Sequence, residues 1–124
     1  MATQSILVVD DDVQFGRLVK RVLSGMGHDV EHISNPYEIF KRYNNHVPDI
    51  VFLDIFMPGF DGIDAAKWLI DKGFNGKLVF MTGHNSTFLD AACAVARHSE
   101  ADIATLVKPV RVNEICDLVN EQRD

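Results

Sequence analysis

The sequence predicts an α/β protein, a three-layer αβα sandwich built around a five-stranded parallel sheet. Short apolar runs alternate along the chain with stretches in which apolar residues recur at helical spacing. Most of the runs are apolar at nearly every position, which is typical of strands buried on both faces of a parallel sheet. The chain has 124 residues, of which 47% are hydrophobic, and this size suits one domain with a single packed core.

Five strands are predicted, each four or five residues long. One segment, residues 30–33, alternates between apolar and polar side chains and fits an edge strand with one wetter face. The predominantly apolar strands are predicted at residues 6–9, 50–53, 78–81 and 103–107.

Five helices are predicted between and after these strands. The first carries apolar residues at i, i+3, i+4, i+7 and i+8 from Phe15, which is a strong amphipathic pattern. The second is expected to begin with Asn35 as the cap and Pro36 in the first helical position. The remaining helices are predicted around residues 63–70, 89–96 and 112–119.

We favour the strand order 2-1-3-4-5, the flavodoxin-like order. Right-handed crossovers through helices of this length support a doubly wound sheet. The order also places the strand before Asp10 beside the strand that runs into Asp54, at the point where the strand order reverses. Ligands of open α/β sheets bind at that point, outside the carboxyl ends of the strands.

Composition excludes several classes of function. The net charge of −6 argues against a non-specific grip on nucleic acid, and no apolar stretch approaches the ~20 residues that span a bilayer. The start of the chain has no signal-peptide pattern. Cys93 and Cys116 lack metal-ligand spacing and are expected to be buried thiols in a reducing compartment. We therefore expect a cytoplasmic protein that binds neither nucleic acid nor membrane directly.

Charged residues follow three of the predicted strands. Asp10, Asp11 and Asp12 follow the first strand, Asp54 the third and Lys108 the fifth. Carboxylates ~4 Å apart repel by roughly 4 kcal/mol at an effective dielectric constant of ~20. Such a cluster is expected to hold a small hard cation, for which Mg²⁺ is the natural candidate. Asp12 alone is better interpreted as a helix start, where its charge complements the dipole.

The remaining polar groups at this edge suit phosphoryl transfer. Asp54 beside a cation can act as a nucleophile towards a phosphoryl group. Thr82, followed by Gly83, offers a hydroxyl and an unhindered N–H to phosphoryl oxygens, although alone it fits an ordinary turn. Lys108 can pair with carboxylates and then with phosphate. A cis bond before Pro109 would direct the lysine into the site.

Together these motifs resemble the receiver domain of bacterial two-component response regulators. The resemblance implies a phosphoacceptor signalling domain that catalyses its own phosphotransfer and slow dephosphorylation, rather than a turnover enzyme. It implies one domain over residues 1–124, with residues 120–124 as a candidate linker start. The matching segments, which span nearly the whole chain, are residues 6–12 (ILVVDDD), 50–62 (IVFLDIFMPGFDG), 79–83 (VFMTG) and 106–110 (LVKPV).

By position, the resemblance implies roles for individual residues and partners. Asp54 is the implied phosphoacceptor, and Thr82 and Lys108 are implied to contact the phosphoryl group. The implied donor is a histidine kinase or phosphotransfer protein. The output is a domain or protein that the sequence does not identify, and a homodimer is a further candidate. The implied Mg²⁺ ligands are Asp10 through water, Asp11, Asp54 and the backbone carbonyl of Phe56.

Three departures from the family pattern lie near its usual output face, which is formed by the fourth helix, the fifth strand and the fifth helix. Thr105 stands three residues before Lys108, where the family usually carries Tyr, Phe or His. The stretch between Thr82 and Lys108 is several residues longer than usual. Val110 follows Pro109 where Phe is common. We hypothesise that phosphorylation is kept and that signal output is altered.

Two neighbours of the site are expected to set the lifetime of the phosphoryl group. Phe56 offers bulk and no side-chain hydrogen bond, which predicts that attacking water is poorly held and that the phosphoryl group persists. His84 could position or exclude water. The other histidines are expected at the surface or in turns; they are His28, His32, His46 and His98.

Two other functions stay open. Haloacid-dehalogenase-type phosphatases also place an aspartate nucleophile after an apolar strand with a second two positions later, as Asp10 and Asp12 stand here. Gln14, however, replaces the Thr or Val of that motif, and the late acidic pair is missing. The other alternative is a receiver-like interaction module that no longer accepts phosphate. Thr105 favours it, and the complete set of acidic, hydroxyl and lysine residues argues against it.

Overall fold

The fold is seen in a computed structural model that describes residues 3–83 and 86–121. The strands of this part are β1 (Ser5–Val9), β2 (Asp29–Ile33), β3 (Ile50–Asp54), β4 (Phe56–Met57), β5 (Phe60–Asp61), β6 (Lys77–Thr82) and β7 (Asp102–Val107). The helices are α1 (Val13–Gly25), α2 (Glu38–Asn45), α3 (Gly62–Asp71), α4 (Ser86–Ala96) and α5 (Val112–Asn120).

A five-stranded sheet, parallel throughout, forms the centre of the molecule in the order β2-β1-β3-β6-β7. Because β4 and β5 form a separate pair, this order corresponds to 2-1-3-4-5 among the strands of the main sheet. The predicted order is therefore confirmed. The strand order reverses between β1 and β3, whose carboxyl ends carry Asp10 and Asp54.

Helices cover both faces of this sheet. On one face, residues of α1 and α5 such as Val19 and Ile115 pack against alternate strand residues such as Val8 and Phe52. On the other face, α2, α3 and α4 pack against the intervening strand residues. The two apolar clusters confirm the predicted three-layer αβα sandwich.

Strand β7 is less buried than its apolar sequence predicts. It pairs with β6 and forms one edge of the sheet, so within the described part of the chain one of its sides has no neighbouring strand. Thr105 is exposed, and Val107 retains 57% of its accessible surface. The opposite edge is β2, which confirms the edge position predicted from its alternating pattern.

Helix α2 begins later than the sequence predicts. The side chain of Asn35 accepts a hydrogen bond from the N–H of Tyr37 at 3.1 Å, and its carbonyl accepts one from the N–H of Glu38. These bonds close a turn at the predicted cap, and the regular helix starts at Glu38. The pattern located the helix, but the local bonding of Asn35 moved its start by one half-turn.

A small hairpin follows β3 where the sequence predicts only a turn. Strands β4 and β5 pair in antiparallel fashion around Pro58 and Gly59, and Gly59 has a φ of +75°. The hydroxyl of Tyr37 donates to the carbonyl of Gly59 at 2.7 Å, which ties the hairpin to the start of α2. The hairpin thereby fixes the segment that directly follows Asp54.

Several polar residues are more buried, and two cysteines less buried, than expected. His28 is buried, with its Nδ1 accepting from the N–H of Gln4 at 3.1 Å, and His32 is half-buried. The prediction of a surface or turn position is therefore wrong for His32, which lies in β2, while His28 directly follows the turn after α1 but is buried there. Cys93 and Cys116 are free thiols but only half-buried.

One buried cation was not predicted at all. Lys77 begins β6 and retains 3% of its accessible surface. Its Nζ donates to the carbonyl of Leu118 at 2.8 Å and lies 3.3 Å from Oε2 of Glu121, near the end of α5. This lysine fastens α5 to the amino end of β6.

Among the residues described, every helix is too short or too polar to cross a bilayer.

Candidate functional site

Three carboxylates converge at the carboxyl ends of β1 and β3. Ligand oxygens of Asp10, Asp11 and Asp54 all lie within 4.8 Å of one another. The register of the sheet explains this, because Val9 pairs with Leu53 and the next residue of each strand is an aspartate. The cluster predicted from the sequence is therefore present.

A lysine bridges two of these carboxylates. Nζ of Lys108 lies 2.7 Å from Oδ2 of Asp10 and 3.1 Å from Oδ2 of Asp54. The backbone N–H of Lys108 donates to the carbonyl of Thr82 at 2.8 Å, which aligns the end of β7 with β6. The bond between Lys108 and Pro109 is cis.

Burial makes this charge pattern costly. Asp54 retains 5% of its accessible surface, and burial raises the pKa of its carboxyl. The hydrogen bond from the N–H of Phe56, 3.0 Å from Oδ1, and the charge of Lys108 both lower this pKa, whereas the charge of Asp10 raises it. The net shift of the Asp54 pKa is upward. Burial alone lowers the pKa of Lys108, but its hydrogen bond to Asp10 and the charges of both aspartates raise it overall. Among the described residues, one ammonium group thus contacts this cluster of three carboxylates, and the negative charge exceeds the positive charge.

Every polar atom of the fully buried Asp10 has a partner. Its N–H donates to the carbonyl of Ile33 at 3.2 Å, and its Oδ1 accepts from the N–H of Asp12 at 2.9 Å. Its carbonyl accepts from Nε2 of His32 at 2.9 Å, and its Oδ2 accepts from Lys108. Asp10 is therefore held rigidly, and the turn that follows it starts from a fixed point.

Asp12 is the cap of α1 and not a member of the cluster. Its side chain accepts a hydrogen bond from the N–H of Phe15 at 3.1 Å. The interpretation of Asp12 as a helix start is confirmed.

Thr82 lies at the same edge of the sheet. Asp54 pairs with Met81 across β3 and β6, so Thr82 is one residue further along the neighbouring strand. It is buried and is the last residue of β6. The structure thus brings together all five polar residues that the sequence singled out, namely Asp10, Asp11, Asp54, Thr82 and Lys108.

The other predicted residues lie around the rim or elsewhere. Phe56 follows the site with 62% of its surface accessible, while its backbone N–H contacts Asp54. Thr105 is exposed on β7, where it pairs with Phe80. His84 lies outside the described residues.

His32 is the residue of this region that the prediction missed. Strand alternation alone does not single it out. The available signal is a glycine, Gly16, inside the strongly amphipathic helix α1, because such a glycine is costly unless something packs closely against it. A Cβ atom added at Gly16 would lie 2.1 Å from Nε2 of His32.

The donor set at this site suits a hard divalent cation. All three side chains offer carboxylate oxygens, which favour Mg²⁺ over zinc or copper. Asp10 and Asp54 are buried while Asp11 is exposed, so an ion bound here would keep an open, hydrated side. The excess of negative charge among these residues also favours the binding of a cation. The residues present fit Mg²⁺.

Comparison with known proteins places this geometry in context. The model of the response regulator receiver domain family matches residues 6–120. The DNA-binding transcriptional regulator NtrC of Escherichia coli (strain K12) is 31% identical over 114 residues, which cover 92% of this chain and 24% of NtrC. The chemotaxis protein CheY of Bacillus subtilis (strain 168) is 29% identical over 119 residues, 94% of each chain.

A solved structure of a receiver domain has a similar fold. The response regulator signal receiver domain from Bermanella marisrubri superposes with a TM-score of 0.79 at 28% identity, and the match covers 92% of each chain. This chain thus spans about a quarter of the length of relatives such as NtrC and nearly the whole of relatives such as CheY.

Proposed function

Since this chain belongs to the response regulator receiver domain family and is a phosphoacceptor signalling domain, we propose that Asp54 is its phosphoacceptor. The proposed donor is a phosphohistidine of a histidine kinase or phosphotransfer protein. Asp10, Asp11 and Asp54, with the backbone carbonyl of Phe56, are the proposed Mg²⁺ ligands. Thr82 and Lys108 are proposed to contact the phosphoryl group.

The observation that carries this proposal is the shared lysine. Asp54 is buried, lies beside two further carboxylates and is bridged to Asp10 by Lys108. A carboxylate in this setting can attack a phosphoryl group only if the negative charge of the incoming group is matched by nearby cations. Lys108 supplies one such cation within hydrogen-bond distance of the nucleophile.

The chemical step follows from these positions. A carboxylate oxygen of Asp54 forms a bond to phosphorus while the bond from phosphorus to the donor imidazole nitrogen breaks, and the imidazole leaves with that electron pair. The product is an acyl phosphate on Asp54. The Phe56 N–H, which contacts Oδ1, and Lys108, which contacts Oδ2, hold the carboxylate in orientation. Bound Mg²⁺ would neutralise charge on the carboxylates and on the phosphoryl oxygens.

After transfer, Lys108 and Thr82 are positioned to respond. Both lie at the carboxyl edge of neighbouring strands and are joined by a backbone hydrogen bond of 2.8 Å. A phosphoryl group on Asp54 would compete with Asp10 for the ammonium group of Lys108. This competition gives the domain two arrangements of the same charges, which is what a switch that controls an output requires.

Incubation with acetyl phosphate and Mg²⁺, followed by intact mass measurement, tests the assignment. We expect a mass gain of one phosphoryl unit in the wild type and none in Asp54→Asn. Asp10→Asn separates the phosphatase alternative, in which Asp10 would carry the phosphoryl group. Equal mass gain in Asp54→Asn and wild type contradicts the proposal, and no gain in a folded wild type favours an interaction module.

The lifetime of the phosphoryl group is part of the proposal. Phe56 is exposed beside Asp54 and its side chain has no polar atom to hold an attacking water. We expect slow hydrolysis, faster in Phe56→Asn, measured as the decay of phosphorylated mass after the donor is removed. An unchanged decay rate would show that Phe56 does not control water.

We propose the partner and the output of this domain by class. The whole NtrC protein is named as a DNA-binding transcriptional regulator, while CheY is named as a chemotaxis protein. We propose an output controlled by this domain in the cytoplasm, altered by the departures at Thr105 and Val110, with a homodimer as a further candidate. Amide exchange of α4 with and without a phosphoryl mimic tests the altered output, and an ordinary helix shift would count against it.

A further inference from the structure

We propose that His32 is a positioning residue for the Mg²⁺ site, acting through the backbone carbonyl of Asp10 in a slot that Gly16 leaves open. This inference rests on the proposed function of the acidic cluster. It assigns to a half-buried histidine on β2 a role that its position in the sequence does not suggest.

The hydrogen bond between His32 and the carbonyl of Asp10 has a defined direction. Nε2 of His32 lies 2.9 Å from the carbonyl oxygen of Asp10. A carbonyl can only accept, so Nε2 carries the hydrogen and donates. Regular pairing of β1 with β2 ends at Val9 and Ile33, followed by one further bond from the N–H of Asp10. The imidazole continues the pairing where the backbone of β2 can no longer do so.

This bond holds the peptide group that follows Asp10. The carbonyl of Asp10 belongs to the peptide plane that joins Asp10 to Asp11. Asp10 is already fixed by Lys108 and by the N–H of Asp12, whereas Asp11 is the exposed member of the cluster. This peptide plane also contains N and Cα of Asp11, so fixing it restricts where the carboxylate of Asp11 can lie. A metal ligand on an exposed turn binds more tightly when its backbone is preorganised.

The ring of His32 occupies the space that a side chain at position 16 would need. A Cβ at Gly16 would lie 2.1 Å from Nε2 and 2.3 Å from Cδ2 and Cε1 of His32. The ring thus sits directly against the backbone of α1, in the first turn after the acidic cluster. A glycine in this position is costly for a helix. The close approach of His32 is the physical reason that glycine, and no larger residue, occupies position 16.

The test uses the different positions of amide nitrogens in two replacements. In His32→Gln the side-chain amide reaches the place of Nε2, whereas in His32→Asn it reaches only the place of Nδ1. His32→Leu removes the donor. For each variant we would measure the rate of phosphorylation by acetyl phosphate as a function of Mg²⁺, which gives a half-saturating Mg²⁺ concentration and a maximal rate.

We expect His32→Leu and His32→Asn to raise the half-saturating Mg²⁺ concentration by about tenfold, at the lower end of the losses caused by removing groups that orient metal ligands. The maximal rate should change by less than about twofold, because the reacting groups are untouched. His32→Gln should restore most of the Mg²⁺ affinity. Equal effects of Gln and Asn, or no effect of Leu, would overturn the inference.

His28→Leu is the matched structural control. His28 is also a histidine on the β2 side of the molecule, buried and hydrogen-bonded to Gln4 through Nδ1. Loss of His28 should lower stability and leave the half-saturating Mg²⁺ concentration unchanged. A rise in this concentration similar to that of the His32 variants would show that destabilisation alone explains their effect, and it would overturn the inference. If the folded wild type takes no phosphoryl group, the proposed function fails. Calorimetric titration with Mg²⁺ alone then still compares the Mg²⁺ affinities of wild type and the His32 variants.

Discussion

Replacing Gly16 by alanine should destabilise the protein, although the same change usually stabilises a helix. Glycine inside a helix costs about 0.5–1 kcal/mol relative to alanine. Gly25, the last residue of α1, provides the ordinary case, because an added Cβ there would meet no atom within 4 Å. At Gly16 the added Cβ would overlap the ring of His32, with a nearest separation of 2.1 Å.

The magnitude follows from how little the ring can move. Overpacking of a buried contact costs about 1–3 kcal/mol. A ring displaced from Gly16 also loses the 2.9 Å hydrogen bond to the carbonyl of the fully buried Asp10, which contributes about 1 kcal/mol. After the gain in helix propensity is subtracted, Gly16→Ala should lower the free energy of unfolding by about 2 kcal/mol. Gly25→Ala should raise it by up to about 1 kcal/mol.

Urea unfolding measures this difference. Trp68, the single tryptophan of the chain, packs edge-on against the rings of Phe40 and Tyr43 and should report loss of the core by its fluorescence. A double-mutant cycle adds His32→Ala and Gly16→Ala/His32→Ala. Without the ring, the alanine at position 16 should become neutral or stabilising.

Two results would refute this reasoning. One is a Gly16→Ala variant as stable as Gly25→Ala. The other is a penalty at position 16 that persists unchanged in the His32→Ala background, since the cost would then arise from something other than the ring.

Three further predictions concern charge. Because burial raises the pKa of Asp54, its ionised form opposes folding, and stability should fall as pH rises from the ordinary carboxyl range through the raised pKa. In metal-free urea unfolding, Asp54→Asn should therefore gain more over wild type at neutral pH than at about pH 4, and equal gains would contradict this. Lys108→Met removes the ammonium shared by Asp10 and Asp54, so Mg²⁺ should raise the melting temperature of this variant more than that of wild type, and an equal rise would show that lysine and metal do not compete. Lys77→Ala should lose about 2–4 kcal/mol of stability, because it unpairs the part-buried carbonyl of Leu118 and leaves a cavity. Glu121 lies at the exposed end of the same interaction, so Glu121→Gln should change stability by less than about 0.5 kcal/mol. Comparable losses of the two variants in urea unfolding would contradict the buried role of the lysine.

The fold and the acidic cluster follow from local sequence features. Strands buried on both faces leave a continuous apolar signature, as residues 50–53 do, and parallel strands bring their carboxyl ends to one edge. Asp10 and Asp54 therefore had to meet once the strand order was chosen. Lys108 and Thr82 followed by the same reasoning, since Thr82 ends β6 and Lys108 directly follows β7 in the same sheet.

Features that depend on neighbours distant in the chain could not be predicted in this way. The exposure of β7 depends on its place at the edge of the sheet, and its apolar residues alone do not reveal it. The hairpin of β4 and β5 is too short for a period to emerge. Lys77 looks like a surface lysine until α5 places the Leu118 carbonyl against it. The position of the His32 ring depends on its contact with Gly16, which lies on a different element.

The contact between His32 and Gly16 also constrains how this chain can evolve. A Cβ at position 16 and an imidazole at position 32 would claim the same volume, so neither position can change freely while the other is retained. Descendants that acquire a larger residue in α1 must first, or at once, shrink the one on β2, and must find another donor for the carbonyl that it served. The two positions should therefore covary in an alignment of near relatives, with glycine at the first wherever histidine occupies the second.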